Sequence, residues 1–155
     1  VSAVDHHGRN AVEPFRVMQD SGTGLLIHGT REWTDYTVGA AVRPQLVQAA
    51  GIAARVQGLH RYYALVLAHD GRLKLLKALD GLHVLAETEW PWQPDVSCQL
   101  ELSVHGREIR ARVDGQQVFA VEDSERPLTE GAIALVCEEG RLDVDEVWVR
   151  PLGHG

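Results

Sequence analysis

Leu100-Glu101-Leu102-Ser103-Val104-His105-Gly106-Arg107-Glu108-Ile109-Arg110-Ala111-Arg112-Val113-Asp114-Gly115-Gln116-Gln117-Val118-Phe119-Ala120-Val121 runs apolar against polar residues through two turn pairs and into a third apolar run. Leu100, Leu102 and Val104 fall on one parity, Glu101 and Ser103 on the other. Beyond His105-Gly106, Ile109, Ala111 and Val113 alternate with Glu108, Arg110 and Arg112. A period of two places one set of side chains on each face of an extended chain. An Asp-Gly pair supplies the positive φ angles of a tight hairpin. The stretch predicts consecutive antiparallel strands, one face in a core and the Arg110/Arg112 face toward solvent.

The same signals extend outward. Asp70-Gly71, Asp80-Gly81 and Glu139-Gly140 also separate apolar runs. Candidate strands fall at 14–19, 24–28, 35–43, 51–57, 61–68, 72–78, 82–88, 96–105, 107–113, 116–122, 131–138 and 142–150. That is too many for one open sheet, so the expected fold is all-β, a two-sheet antiparallel sandwich or jelly roll. The leucines of 61–79 also fit a helical stripe, but Asp70-Gly71 in its middle favours a hairpin. Pro44 to Ala50 reads as a loop or a short helical turn, and 1–12 and 152–155 as loose ends. The expected core is Leu65, Leu67, Leu100, Leu102, Val104, Ile109, Val113, Phe119, Ile133, Leu135, Val147 and Val149. With 155 residues and 45% apolar composition, the chain reads as one domain over 1–155, its ordered core at about 14–151. The net charge of −7 argues against nucleic acid and against anionic membranes as partners. No apolar run approaches the ~20 residues of a membrane helix. Nothing near the initial Val1 reads as a signal peptide, so no compartment is assigned. Cys98 and Cys137 lie in apolar runs and read as packed core thiols, a bridge between them being the alternative.

Gly51-Ile52-Ala53-Ala54-Arg55-Val56, Arg61-Tyr62-Tyr63-Ala64-Leu65-Val66-Leu67, Lys77-Ala78-Leu79-Asp80-Gly81, Pro127-Leu128-Thr129-Glu130-Gly131 and Val144-Asp145-Glu146-Val147-Trp148-Val149 resemble the concanavalin A-like lectin/glucanase superfamily. The closer likeness is to its laminin-G-like and 3-keto-disaccharide-hydrolase-like jelly rolls, over roughly residues 14–151. The resemblance implies a β-sandwich of a kind that often binds carbohydrate as an accessory domain of a larger enzyme. Glucanases of the superfamily carry a Glu-x-Asp-x-x-Glu strand motif. The nearest run here, Asp143-Val144-Asp145-Glu146, departs from that spacing. Related carbohydrate modules often clamp a calcium ion between first and last strands. The resemblance therefore implies Asp143 and Asp145, with Glu13 or Asp20, as a candidate structural calcium site, no cofactor being required otherwise.

Sugar rings stack on aromatic faces while charged and amide groups bond their hydroxyls. If Ile52, Ala54 and Val56 face the core, Arg55 projects from the opposite face. The expected ligand-binding set is Arg55, Lys77 and the outward one of Tyr62 and Tyr63, which have opposite parity so that one is core and one outward, with Trp90 and Trp92 in the adjoining Glu89-Trp90-Pro91-Trp92 loop. An outward Arg55 is also expected to contribute little to stability. No Gly-x-Ser-x-Gly elbow is present, and none of the eight histidines forms a zinc-protease pair. The functional expectation is a non-catalytic, lectin-like carbohydrate-binding module with a fused or associated catalytic domain. The alternatives are an enzyme of the keto-disaccharide hydrolase type and a structural or protein-interaction domain without ligand.

Overall fold

The computed structural model describes the backbone of residues 2–4, 10–12, 15–28, 33–45 and 47–152, and the side chains of 27, 33–45 and 47–152. Its strands are β1 (Ser2–Val4), β2 (Asn10–Val12), β3 (Phe15–His28), β4 (Tyr36–Gln45), β5 (Ala49–Gly58), β6 (Arg61–Ala68), β7 (Arg72–Ala78), β8 (Leu82–Glu89), β9 (Cys98–His105), β10 (Glu108–Val113), β11 (Gln116–Glu122) and β12 (Ala132–Pro151). Every pairing is antiparallel, and the described residues contain no helix. The hairpins at Asp70-Gly71, Asp80-Gly81, His105-Gly106 and Asp114-Gly115 form where the sequence places them.

The longest strand organises the rest. The first half of β12 pairs with β5, which continues through β6 and β7 to β8. Its second half pairs with β4, which continues through β9 and β10 to β11. β3 runs along the other side of both halves. Two sheets thus share one strand and pack face to face. The turn expected at Glu139-Gly140 is instead a corner within β12. Both residues have positive φ and the pairing with β3 shifts register there, so the strand bends without reversing. The expected strands 131–138 and 142–150 are therefore one, as are 14–19 and 24–28. Pro44 and Gln45 belong to β4 and Ala49 and Ala50 to β5. At the N-terminus, expected to be loose, β2 pairs with both β1 and β12.

The core lies between the sheets. Ile52, Leu65, Leu67, Leu73 and Leu75 of one meet Val38, Leu100, Leu102, Ile109 and Val113 of the other, and all twelve expected core residues are buried. Cys98 and Cys137 are free thiols within it. Burial, then Asp114, pushes the Cys98 thiol up to about 12. The β5–β8 sheet is also apolar on its outer face. Ala53, Ala64, Val66, Leu76, Ala134 and Val136 form a second buried cluster there. Both faces of this sheet are covered, which explains the unbroken apolar run Tyr62 to Ala68.

Candidate functional site

The backbone at Arg55 decides the local geometry. Arg55 has φ +51, and Ala54 and Arg55 together oppose Ile133 of β12. This extra residue is a β-bulge, and it breaks the alternation. Ala54 faces the core, Val56 faces the outer cluster, and Arg55 turns inward instead of outward. The expected projection of Arg55 from the open face is thereby corrected. Its side chain is 1% exposed. Nη2 donates to Asp35 Oδ1 at 3.0 Å, Nε to the Thr34 carbonyl at 3.0 Å, and Nη1 to the carbonyls of Leu128 (2.9 Å) and Gly106. Burial pulls the guanidinium pKa down, and the Asp35 carboxylate opposes it. The Arg55 amide donates to the Tyr36 hydroxyl at 2.6 Å, which donates to the Gly131 carbonyl at 2.8 Å.

Tyr63 and Lys77 are cross-strand neighbours on the inner face. The Tyr63 hydroxyl donates to Asp123 Oδ2 at 2.6 Å and accepts from the Leu128 amide at 2.9 Å. Lys77 Nζ lies 2.6 Å from the same carboxylate oxygen and donates to the carbonyls of Glu125 (2.5 Å) and Arg126 (3.0 Å). Burial acts to raise the Asp123 pKa, but the Lys77 ammonium and the Tyr63 hydroxyl outweigh it and hold the carboxyl below its ordinary range. Burial, with the Asp123 hydrogen bond, pushes the Tyr63 phenol up. Gly131 closes the arrangement, because a Cβ there would fall on the backbone of Arg55 and Val56. Arg55, Tyr63 and Lys77 are thus brought together, but beneath the surface. They hold the segment 123–131, which links β11 to β12.

That segment carries Arg126 to the rim of a groove of about 580 Å³. His60, Arg61, Tyr62, Asp80 and Arg126 line it, with Leu59 and Leu82 at its apolar border. Tyr62, on the outer face, is the one residue of the expected set that reaches this groove. Arg126 Nη1 pairs with Asp80 Oδ2 at 2.8 Å, and both side chains are exposed. The turn after β5 and the turn after β7 lie at the same end of the sheet, which brings His60 beside Asp80. The hairpin pattern held that signal, whereas Arg126 has no local signature, since only the fold returns the β11–β12 link to this end. The groove offers cationic donors, a carboxylate acceptor and an aromatic edge, a set suited to a polyhydroxylated ligand.

Trp90 and Trp92 lie elsewhere. The Trp90 amide donates to the Gly71 carbonyl at 2.8 Å and Trp92 Nε1 to the Ala68 carbonyl at 2.7 Å. Both half-buried rings pack against the core at the far end of β6, roughly 20 Å from Tyr62 at ~3.3 Å per residue. Asp145 accepts from Arg43 Nη2 at 3.2 Å, and Asp143 from Gln45 Nε2 at 3.0 Å. Glu13 and the side chain of Asp20 lie outside the described residues, and no cluster of three metal-ligating side chains occurs among the described ones.

No family model matches the chain, and no curated protein matches it in sequence. Solved structures do match in fold. The carbohydrate-binding module CBM66 of Bacillus subtilis is 16% identical with a TM-score of 0.77, over 97% of this chain and 91% of that one. The fructosyltransferase of A. japonicus is 8% identical with a TM-score of 0.70, over 94% of this chain but 26% of the enzyme. Galectin LEC-6 of Caenorhabditis elegans is 14% identical with a TM-score of 0.62, over 95% of this chain and 99% of that one. The likeness is one of fold. It agrees with the jelly-roll resemblance of the sequence.

Proposed function

We propose that the chain is a non-catalytic carbohydrate-binding module whose ligand enters the groove at Tyr62, and that it serves as an accessory domain to a larger glycan-active enzyme. The observation that carries this reading is the groove itself. Arg61, Asp80 and Arg126 line it together with Tyr62, of which 7% is exposed, and the segment bearing Arg126 is held by the buried network of Arg55, Tyr63, Lys77 and Asp123. A rigid second layer keeps donors in register with ligand hydroxyls and lowers the ordering cost of binding. The fold shared with a carbohydrate-binding module and a galectin supports the reading, and the match to one part of a fructosyltransferase supports the accessory role.

A glycan-array screen followed by calorimetric titration tests the proposal. Arg61→Ala and Arg126→Ala are expected to weaken binding of the selected glycan about tenfold or more, as loss of charged hydrogen-bond donors does. Both are exposed, so the melting temperature should stay within a degree or two. Wild-type affinity in both variants would remove the ligand from this groove.

A further inference from the structure

The sheet opposite this groove carries a second set of side chains aligned in rows. Val38, Leu102 and Val149 point into the core, so their neighbours along β4, β9 and β12 point outward. Four strands bring Arg150, Thr37, Ser103 and Arg110 into one cross-strand row. The next row is Trp148, Gly39, Glu101 and Arg112. A Cβ at Gly39 would fall within the Trp148 indole, so the glycine is what lets that ring lie flat across β4. Above these rows is a concavity of about 340 Å³, at the small end of the range for small-molecule sites (~300–1,000 Å³).

We propose that this face is a second ligand site, accepting the carboxylate of an acidic saccharide over Thr37 and Ser103, between Arg110 and Arg150. Thr37 Oγ1 and Ser103 Oγ are 2.7 Å apart, and one hydroxyl donates to the other. The second hydroxyl hydrogen of the pair remains to be offered to a ligand. Arg150 and Arg110 stand three strand spacings apart, ~14 Å at the Cα atoms, so two facing guanidiniums bracket one small anion. Their charge is available. Among the described residues Arg112 and Arg150 form no ion pair, and Arg150 instead lies 5.9 Å from the Trp148 ring centroid. Arg110 meets Glu108 at 3.3 Å in an exposed pair, the kind worth little and readily exchanged.

The rest of the concavity selects the class of ligand. Glu101 and Gln117 supply acceptors for neighbouring hydroxyls, and the lining carries no Phe, Tyr or Trp ring, the His105 imidazole being its one aromatic side chain. Two glutamates among three arginines, on a chain of net charge −7, disfavour an extended polyanion and suit a single oxyanion on an otherwise neutral, hydroxylated body. The site is independent of the Tyr62 groove, which belongs to the other sheet.

The test is titration of the wild-type chain with glucuronosyl-xylotriose, which carries one carboxylate, with xylotriose and with inorganic sulfate, followed by amide NMR shifts and calorimetry. Glucuronosyl-xylotriose is expected to shift the amides of Thr37, Ser103 and Arg110 and to bind more weakly as salt rises. Xylotriose should shift them at least about tenfold more weakly, and Arg110→Gln and Arg150→Gln should each cost glucuronosyl-xylotriose about tenfold with the melting temperature unchanged. Tyr62→Ala should leave this binding intact, which separates its outcome from that of the proposed glycan groove. Sulfate bound as tightly as glucuronosyl-xylotriose would overturn the saccharide assignment. Wild-type affinity in both arginine variants, or no shifts on this face with any probe, would overturn the site.

Discussion

Arg55 directs its donors at the protein: Asp35, Thr34, Gly106 and Leu128 all receive them. Removing the side chain strands the buried Leu128 carbonyl and takes the counter-charge from Asp35, whose side chain is 20% exposed. Arg55→Ala is therefore expected to destabilise the fold by about 3–5 kcal/mol, as breaking a buried pair does. Arg55→Lys should recover little, because an ammonium lacks the planar fork that reaches several acceptors at once. Urea denaturation checks both, and a loss below about 1 kcal/mol for the alanine variant would contradict the burial. Asp123 gives a pH-dependent counterpart. Its folded pKa lies below the unfolded value of ~3.9. Its contribution is thus complete above the unfolded pKa and is lost as pH falls through the folded one. Melting temperature should drop as pH falls below about 4, with a smaller drop in Asp123→Asn. That variant is less stable at neutral pH, since Lys77 is left buried without its counter-charge. Parallel profiles for the two proteins would show that other carboxyls govern the acid limb.

The segment 123–131 contains no strand, yet it is tied to β6, β7 and β5 by side chains from beneath. If the Tyr63 hydroxyl is what holds its middle, Tyr63→Phe should speed hydrogen exchange at the Leu128 amide while the β6 amides keep their protection. Unchanged exchange at Leu128 would assign the order of this segment to Arg55 and Lys77 alone. The strands were legible in sequence because their alternation and Gly turns are local: β6, β7 and β11 lie at the expected residues. The site was less so, for two local reasons and one distant one. The Arg55 bulge inverts the parity on which its outward placement depends, and the run Tyr62 to Ala68 carries the mark of a strand covered on both faces. Arg126 arrives from about 60 residues along the chain, with nothing near it to announce the groove.

At the scale of the molecule, β12 makes the two sheets one unit. Ala132 to Glu138 pair with β5, and Arg141 to Pro151 pair with β4, so neither sheet closes without the same strand. β3 spans the corner as well, pairing on both sides of Glu139. The core between them is continuous: Leu135 and Val147, from opposite halves of β12, belong to one cluster with Leu65 and Leu102. Local opening of one sheet would therefore expose the inner face of the other, and the chain should unfold in a single step. Leu65→Ala in one sheet and Leu102→Ala in the other each remove a fully buried side chain and should cost about 2–5 kcal/mol. Far-ultraviolet circular dichroism reports all strands together. Tryptophan fluorescence reports Trp90 and Trp92 beside the β5–β8 sheet, and Trp148 on the other with Trp33 packed edge-on against Tyr36 of β4. In wild type and both variants the two signals should give one midpoint, shifted equally by either substitution of equal cost, with an unchanged denaturant slope. Separate midpoints, or a fluorescence change that precedes loss of strand signal in one variant only, would mean that the corner at Glu139-Gly140 works as a hinge between two independently melting sheets.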